Sequence, residues 1–449
     1  MSETPVSGWG RFPVERCHVF RPERRADVAA TVAAKTVPSY IARGLGRSYG
    51  DAAVNAGGGV VVHERLNRMR AFDPATGVLD CEAGTSVADI IETWLPRGWF
   101  PAVTPGTKFV TVGGAIAADV HGKNHHRDGT FSCFVESFTL LTADGEMLSC
   151  SRRDHADVFW ASVGGLGLTG MILDARVRLR AVESSWLRVD YRRSRHLYDT
   201  LAAFTAGDAG SPYSVAWIDC LAGGKALGRA VLMHGEHATA ADVQAAGRRG
   251  FAASRAAGLS VPIDVPGALL NHVSMRVFNG AYYAAHGDAA GRLVHYDRFF
   301  YPLDGVAHWN RLYGRNGFTQ YQVALPPEEG ERGLVELLTR LSRSGRPSFL
   351  AVLKRLGAQG PGLLSFPREG YTLALDLPVR PGLVEFLAEL DRLVLARGGR
   401  IYLAKDATAT RDTVRAMYPR LDEFRAIKQR LDPRGVLSSS LARRVGLVS

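Results

Sequence analysis

VGGLGLTG, residues 163–170, holds the spacing G-x-G-x-x-G between Gly165 and Gly170. Read as a dinucleotide fingerprint, it would make the chain a doubly wound parallel-sheet protein. That fingerprint needs a strand before it and a helix after it, because the pyrophosphate sits on the helix N-terminus. Here the order is inverted. DVFWASVG, which is helix-like, precedes the glycines, and MILDARVRLR, which alternates like a half-buried strand, follows them. The dinucleotide reading is rejected, and the fold has to come from the flanking pattern.

Outward from this point the chain divides by character. Residues 38–180 are rich in short apolar runs punctuated by glycine, which predicts strands. Helices are predicted over 26–35 and over 86–98, where Ser86 can cap and Pro96 and Gly98 can stop the helix. From about residue 183, strand-like runs such as SVAWID, QYQVALP, FLAVLK and TLALDLP alternate with the helical runs GLVELLTRL and GLVEFLAELDRLV. This predicts a second region built on an antiparallel sheet, and an α+β class overall. Residues 252–292, rich in Ala and Gly, are expected to form a mobile loop or lid, with Leu269, Leu270 and Phe278 as its apolar contacts.

The 449 residues carry a net charge of +11, which favours anionic partners such as nucleic acid, a membrane surface or a phosphorylated substrate. The charge is spread and interleaved with acids, as on a solvated surface. No apolar run is long enough to span a membrane, and the start lacks the pattern of a secretory leader. A cytoplasmic location is expected, with peripheral contact at a membrane allowed by the charge. Cys17, Cys81, Cys133, Cys150 and Cys220 show no C-x-x-C spacing and read as reduced thiols.

Two more stretches join residues 163–170. RGLGRSYGD, residues 43–51, and PGTKFVTVGGAIAADVHGKNHH, residues 105–126, are also glycine-rich. Glycine lets backbone N–H groups approach a ligand closely. One such stretch alone would be a tight turn. Three within 130 residues point to one large ligand touched along its length, such as a pyrophosphate cofactor. His121, His125 and His126 raise the question of a metal, but no carboxylate pair accompanies them at a ligand spacing. No metal is expected.

ARGLGRSYGD, PGTxxVTVGGAIAxDxHGKNHH, LLTADGE, FWASVGGxGLTG, QYQ and YxAKD together resemble the flavoprotein family named for vanillyl-alcohol oxidase, and the likeness runs from about residue 8 to residue 444. The resemblance implies a discontinuous FAD domain: residues 1–182, a substrate domain over 183–399, and a return segment over 400–449. It implies that Gly44, Gly46, Arg47, Ser48, Tyr49 and Gly50 meet the FAD pyrophosphate. Gly106, Thr111, Gly113, Gly114, Ala117, His121, Gly122 and Asn124 would line the flavin, with Gly165, Gly170 and Tyr402 completing the pocket. Lys405, His121 and Tyr49 would be catalytic, and Gln320, Gln322, Lys354, Asp376 and Trp217 would face the substrate. Many relatives attach FAD through a histidine in the first loop. Residues 43–51 contain none, so non-covalent FAD is expected.

The same resemblance implies oxidation of a sugar secondary hydroxyl to a ketone. The substrate implied is a polyprenyl-phosphoryl-β-D-ribofuranose oxidised at C2′, as the first half of an epimerisation in arabinan or cell-envelope biosynthesis. A separate NAD(P)H-dependent reductase would complete it. Two departures stand out: Ala374 where the best-known members carry cysteine, and Phe300-Tyr301 where they carry Tyr-His. The alternatives are a soluble sugar or aldonolactone oxidase that uses O₂, and a basic module that binds nucleic acid or membrane without catalysis. No nucleic-acid-binding motif supports the latter.

Overall fold

The computed structural model describes residues 2–252, 258–266, 271–346, 348 and 350–448. Helix Ala156–Ser162 precedes the glycines of residues 163–170 and strand Met171–Ala181 follows them, in the order opposite to a dinucleotide fold. From Ala175 to Leu179 this strand alternates buried and exposed side chains. It pairs antiparallel with Val78–Glu82, Val135–Leu141 and Trp99–Pro101 at the centre of a six-stranded sheet. Helix Val87–Trp94 begins where the sequence predicts. Ser86 Oγ accepts from Asp89 N and Asp89 Oδ2 accepts from Ser86 N, both at 3.0 Å. Such a capping box is worth about 1 kcal/mol. Gly98, at φ +84°, ends the following single turn.

A four-stranded sheet lies earlier in the chain, in the order Thr4–Ser7, Val14–Phe20, Gly59–Val62, Tyr40–Arg43. Its last two pairs are parallel. The far end of the chain returns to its open edge: Tyr40 N donates to Val436 O at 2.7 Å, and Ser438 N donates to Tyr40 O at 3.0 Å.

The second region is an eight-stranded antiparallel sheet, ordered Ala289–His295, Trp186–Ser194, Ala230–His237, Tyr213–Ile218, Ala351–Leu356, Gly370–Pro378, Phe318–Leu325, Arg400–Ile401. Helices Leu197–Gly207, Pro327–Arg343 and Leu383–Ala396 pack on it. Alternation decides which side chains they cover. Tyr321 points to the helices, where its hydroxyl donates to Asp391 Oδ1 at 2.9 Å. Its neighbours Gln320 and Gln322 therefore point the other way. Val323 and Leu325 continue the helix-facing row as buried core.

Two expectations need correction. Among the described residues of the stretch 252–292, Asn271 caps a helix, His272–Ala285, and strand Ala289–His295 follows, so this part is not a plain loop. Asn279 Nδ2 donates to Asp219 Oδ1 at 2.8 Å and Tyr283 Oη donates to Ser194 O at 3.0 Å, which fasten the helix to the sheet. Phe278 lies on this helix, whereas Leu269 and Leu270 fall outside the described residues. The expected return segment also begins inside the second sheet, because Arg400–Ile401 pairs with Phe318–Leu325. Among the described residues no helix is long and apolar enough to cross a membrane.

Candidate active site

A cavity of about 1780 Å³, counting its open mouth, lies between the glycine-rich loops and the eight-stranded sheet. At one end, strand Tyr40–Arg43 delivers the chain to Gly44. A Cβ on Gly44 would overlap Thr111 Oγ1, so the first two glycine-rich stretches touch only because this residue is glycine. Gly44, Gly46, Arg47, Ser48 and Tyr49 line the cavity. Among the described residues the amides of Leu45, Gly46, Arg47 and Ser48 donate to no protein acceptor. Unpaired backbone donors gathered beside a cavity form a nest for anionic oxygens.

Thr111 caps helix Val112–Ala117 by accepting from Gly114 N at 3.2 Å. Gly106, Thr111, Gly113, Gly114 and Ala117 line the same cavity, and Gly170 closes it from the third stretch. The space a Gly106 side chain would enter is open. A nest of amides followed by a wall of small residues fits the pyrophosphate and the flat ring of FAD.

The other end is made of side chains. Strand register places Gln322, Ala374 and Val352 in one cross-strand row, and all three line the cavity. Gln322 Nε2 donates to His121 Nε2 at 3.0 Å and to Thr372 Oγ1 at 3.1 Å. That engages the lone pair of His121 and leaves its other ring nitrogen, Nδ1, buried without a protein partner. Burial, then Lys354, His125 and Lys405, hold the His121 imidazole well below its ordinary pKa. Lys354 also lines the wall, and burial lowers it to about 8.

Lys405 comes from the turn after Arg400–Ile401, with its amide donating to Tyr402 O at 2.9 Å. Its Nζ stands 3.9 Å from the centre of the Tyr49 ring. Burial pushes Lys405 down to about 7; Asp376 opposes the shift and Lys354 adds to it. Burial pushes Asp376 up to about 7, against the hydrogen bond from Gln320 Nε2 (2.6 Å) and the charge of Lys405. A lysine held this low can accept a proton near neutral pH. Tyr402 lines the cavity and donates through Oη to Ala118 O at 2.7 Å.

Several expected site residues lie off the cavity wall. Gly122 packs against Thr104 and Asn124, and Asn124 donates to Ala102 O and Asp128 Oδ2. They brace the loop that carries His121. Gly165 packs against Ala161 and Phe424. Gly50 packs against Asp406. Asp376 stands behind Gln320, one layer from the cavity. Trp217 continues the row of Val352, but its ring meets Tyr282 at 4.5 Å on helix His272–Ala285. The three histidines of residues 121–126 diverge: His125 Nδ1 accepts from Gly357 N, and His126 Nε2 meets Ser211 O. Sequence reasoning missed His63, a buried cavity residue that burial lowers to about 4. It follows strand Gly59–Val62 and reads only as a strand terminus.

The comparisons with known proteins bear on the cofactor and the family. Residues 18–151 match the FAD binding domain family, and residues 377–445 match the D-arabinono-1,4-lactone oxidase family. The chain is 39% identical to decaprenylphosphoryl-β-D-ribose oxidase of Mycolicibacterium smegmatis, over 99% of its own length and 97% of the relative's. It is 37% identical to an uncharacterised protein of Streptomyces coelicolor over 80% of this chain and 99% of that one. Cytokinin dehydrogenase 4 of Arabidopsis thaliana is 33% identical over 36% of this chain and 31% of its own. Fold and cavity thus define an FAD-dependent oxidoreductase of α+β class, with FAD as its cofactor. The chain belongs to the family that includes decaprenylphosphoryl-β-D-ribose oxidase. A non-catalytic basic module is thereby set aside.

Proposed function

We propose that this enzyme oxidises the C2′ hydroxyl of a polyprenyl-phosphoryl-β-D-ribofuranose to a ketone, as the first half of a 2′-epimerisation. The observation that carries the reading is Lys405, a buried lysine standing against Tyr49 where the two ends of the cavity meet. Its substrate comes from the likeness to the mycobacterial oxidase along almost the whole chain.

Gly44, Gly46, Arg47 and Ser48 hold the pyrophosphate of FAD, and Gly106, Thr111, Gly113, Gly114, Ala117 and Gly170 hold its ring without a covalent bond. Bound FAD supplies the hydride acceptor. Lys405 Nζ takes the hydroxyl proton as the C–H bond breaks. His121 is the poorer base, because its accepting nitrogen is already engaged by Gln322. Gln320, Gln322 and Lys354 orient the sugar, Asp376 sets the charge on Lys405 from behind, and Tyr49 gives Lys405 a fixed surface. A separate NAD(P)H-dependent reductase returns the ketone with inverted configuration. The enzyme works at a membrane face, with Val273 and Val277 of helix His272–Ala285 exposed and a chain whose net charge is +11.

Anaerobic titration of the yellow protein with a polyprenyl-phospho-ribofuranose tests this reading. Bleaching of the flavin band in proportion to added substrate is expected, and acid should release all flavin as free FAD. A flavin that lipid-phospho-pentoses leave unbleached would defeat the substrate assignment. The match of residues 377–445 to the D-arabinono-1,4-lactone oxidase family favours a second reading, a soluble sugar-lactone oxidase. Turnover of free aldonolactones with release of hydrogen peroxide would select it.

A further inference from the structure

Lys405 and the first glycine loop come from distant parts of the chain, and what joins them lies outside the cavity. Arg444 stands in the C-terminal helix Ser440–Arg444. It donates through Nε and Nη2 to the two carboxylate oxygens of Asp51, at 3.1 and 2.7 Å. Its Nη1 donates to Asp406 Oδ2 at 2.9 Å and to Ala409 O at 2.6 Å. Asp51 ends the first glycine-rich stretch, and Asp406 directly follows Lys405. The two carboxylates are 4% and 7% exposed. Placed this close and this deep they repel each other, and the guanidinium between them offsets both charges.

The backbone closes the same join. Tyr49 N donates to Ala404 O at 3.2 Å, and Leu441 N donates to Asp51 O at 3.3 Å. A Cβ on Gly50 would run into Asp406 O. Gly50 is therefore the residue over which the two loops touch, which explains a glycine that does not face the cavity. Thr408 N and Ala409 N both donate to Asp406 Oδ1 at 3.0 Å, so the Lys405 turn is tied at its far side as well.

We propose that Arg444 is a positioning residue: it clamps the cofactor loop to the Lys405 turn, so one side chain sets both the phosphate nest and the placement of the proton acceptor over Tyr49. The catalytic meaning of the clamp rests on the proposed role of Lys405. Arginine is required, because a lysine cannot grip one carboxylate with two bonds while reaching a second.

The test uses FAD-loaded enzyme and two measurements made without turnover. One is the FAD dissociation constant. The other is a pH titration of the flavin absorption band, in which the step that Lys405→Met abolishes belongs to Lys405. Tyr49, Asp376, Lys354 and His121 are the titratable groups that face this lysine, and none of them is substituted in these variants. Arg444→Met and Arg444→Lys should each weaken FAD binding about tenfold or more, as loss of a buried ion-pair partner does. Each should also move the Lys405 step by about one pH unit or more. Asp406→Asn should move the step and spare FAD affinity, and Asp51→Asn should do the reverse. These two isosteric changes serve if Arg444→Met does not fold. Unchanged affinity and an unchanged step in the Arg444 variants overturn the clamp, as does full rescue by lysine or the absence of any Lys405 step. Failure of the functional reading looks different: the shifts appear as expected, yet lipid-phospho-ribose bleaches no flavin.

Discussion

The two ends of the cavity are built from different materials. The cofactor end is backbone: four amides beside Gly44 that find no acceptor among the described residues, and small residues along helix Val112–Ala117. The sheet end is side chains: Gln320, Gln322, Lys354 and Lys405, brought together from neighbouring strands and a turn. Backbone donors recognise a phosphate without regard to what is attached to it, which suits a shared cofactor. Side-chain arrays can be exchanged one at a time and so carry the choice of substrate. A change in a residue that lines one end should therefore leave the other nearly untouched as long as the Arg444 clamp between them holds, and that separation can be measured.

The sharpest break is at Lys405. Lys405→Ala should lower the rate of flavin reduction by substrate about 10²–10⁴-fold, the usual range for losing a positioned base. FAD should stay bound, as the visible spectrum would report. Lys405→Arg keeps the charge and should recover little, since arginine is a very poor base. Near-normal reduction by the arginine variant would turn Lys405 into a charge stabiliser. At the other end, Gly44→Ala drives a methyl into Thr111. It should weaken FAD binding by about 1–3 kcal/mol, the ordinary cost of overpacking. Reduction at saturating FAD should be nearly unchanged; a collapsed rate there would mean that the ends are not independent.

The acid limb of the pH profile sharpens the comparison further. Lys405 is lowered to about 7, and as the proposed base it would act only when neutral. Below that pH the reduction rate should fall about tenfold per unit, and above it the rate should level off. A smaller effect is expected in stability. A lysine whose folded pKa is about 8 but whose unfolded pKa is about 10.4 penalises the fold below pH 8, and the penalty disappears as pH rises to about 10. Lys354→Met should thus raise the unfolding free energy at pH 7 by about 1–3 kcal/mol, less to the extent that water in the cavity solvates the ammonium. Denaturant melts at pH 7 and pH 10 would show the gain shrinking. The smallest effect is none at all. Ala374 offers no thiol, and no cysteine lines the cavity among the described residues. A reduced nitroaromatic that traps cysteine should leave the protein mass unchanged.

The contrast between the ends also explains what could be read in the sequence. A backbone nest needs glycine, and a short helix behind it needs a cap, so the loop at 43–50 and Thr111 are visible as residue types. Lys354 and Gln322 are visible only through the alternation of their strands, and their convergence depends on register. Trp217 shows the difference: it lies on the correct row, but one strand too far along, where helix His272–Ala285 covers it. That helix was legible in part, since Asn271 is a good cap, but Val273, Met275 and Val277 alternate as a strand would. The Ala and Gly around it hid the signal. His63 had none, because a histidine at the end of VVV shows nothing of the cavity beyond it.

The return of the chain to Tyr40 bears on how the enzyme is made. Strand Tyr40–Arg43 leads directly into the phosphate nest, and its outer flank is supplied by Leu437. Arg444, which closes the nest from behind, comes a few residues later. During synthesis both leave the ribosome after every strand of the eight-stranded sheet, so the nest is completed last. Capture of FAD is therefore expected to wait for Leu437 and Arg444 to emerge. A ribosome stalled before Leu437 should therefore carry a chain without flavin colour.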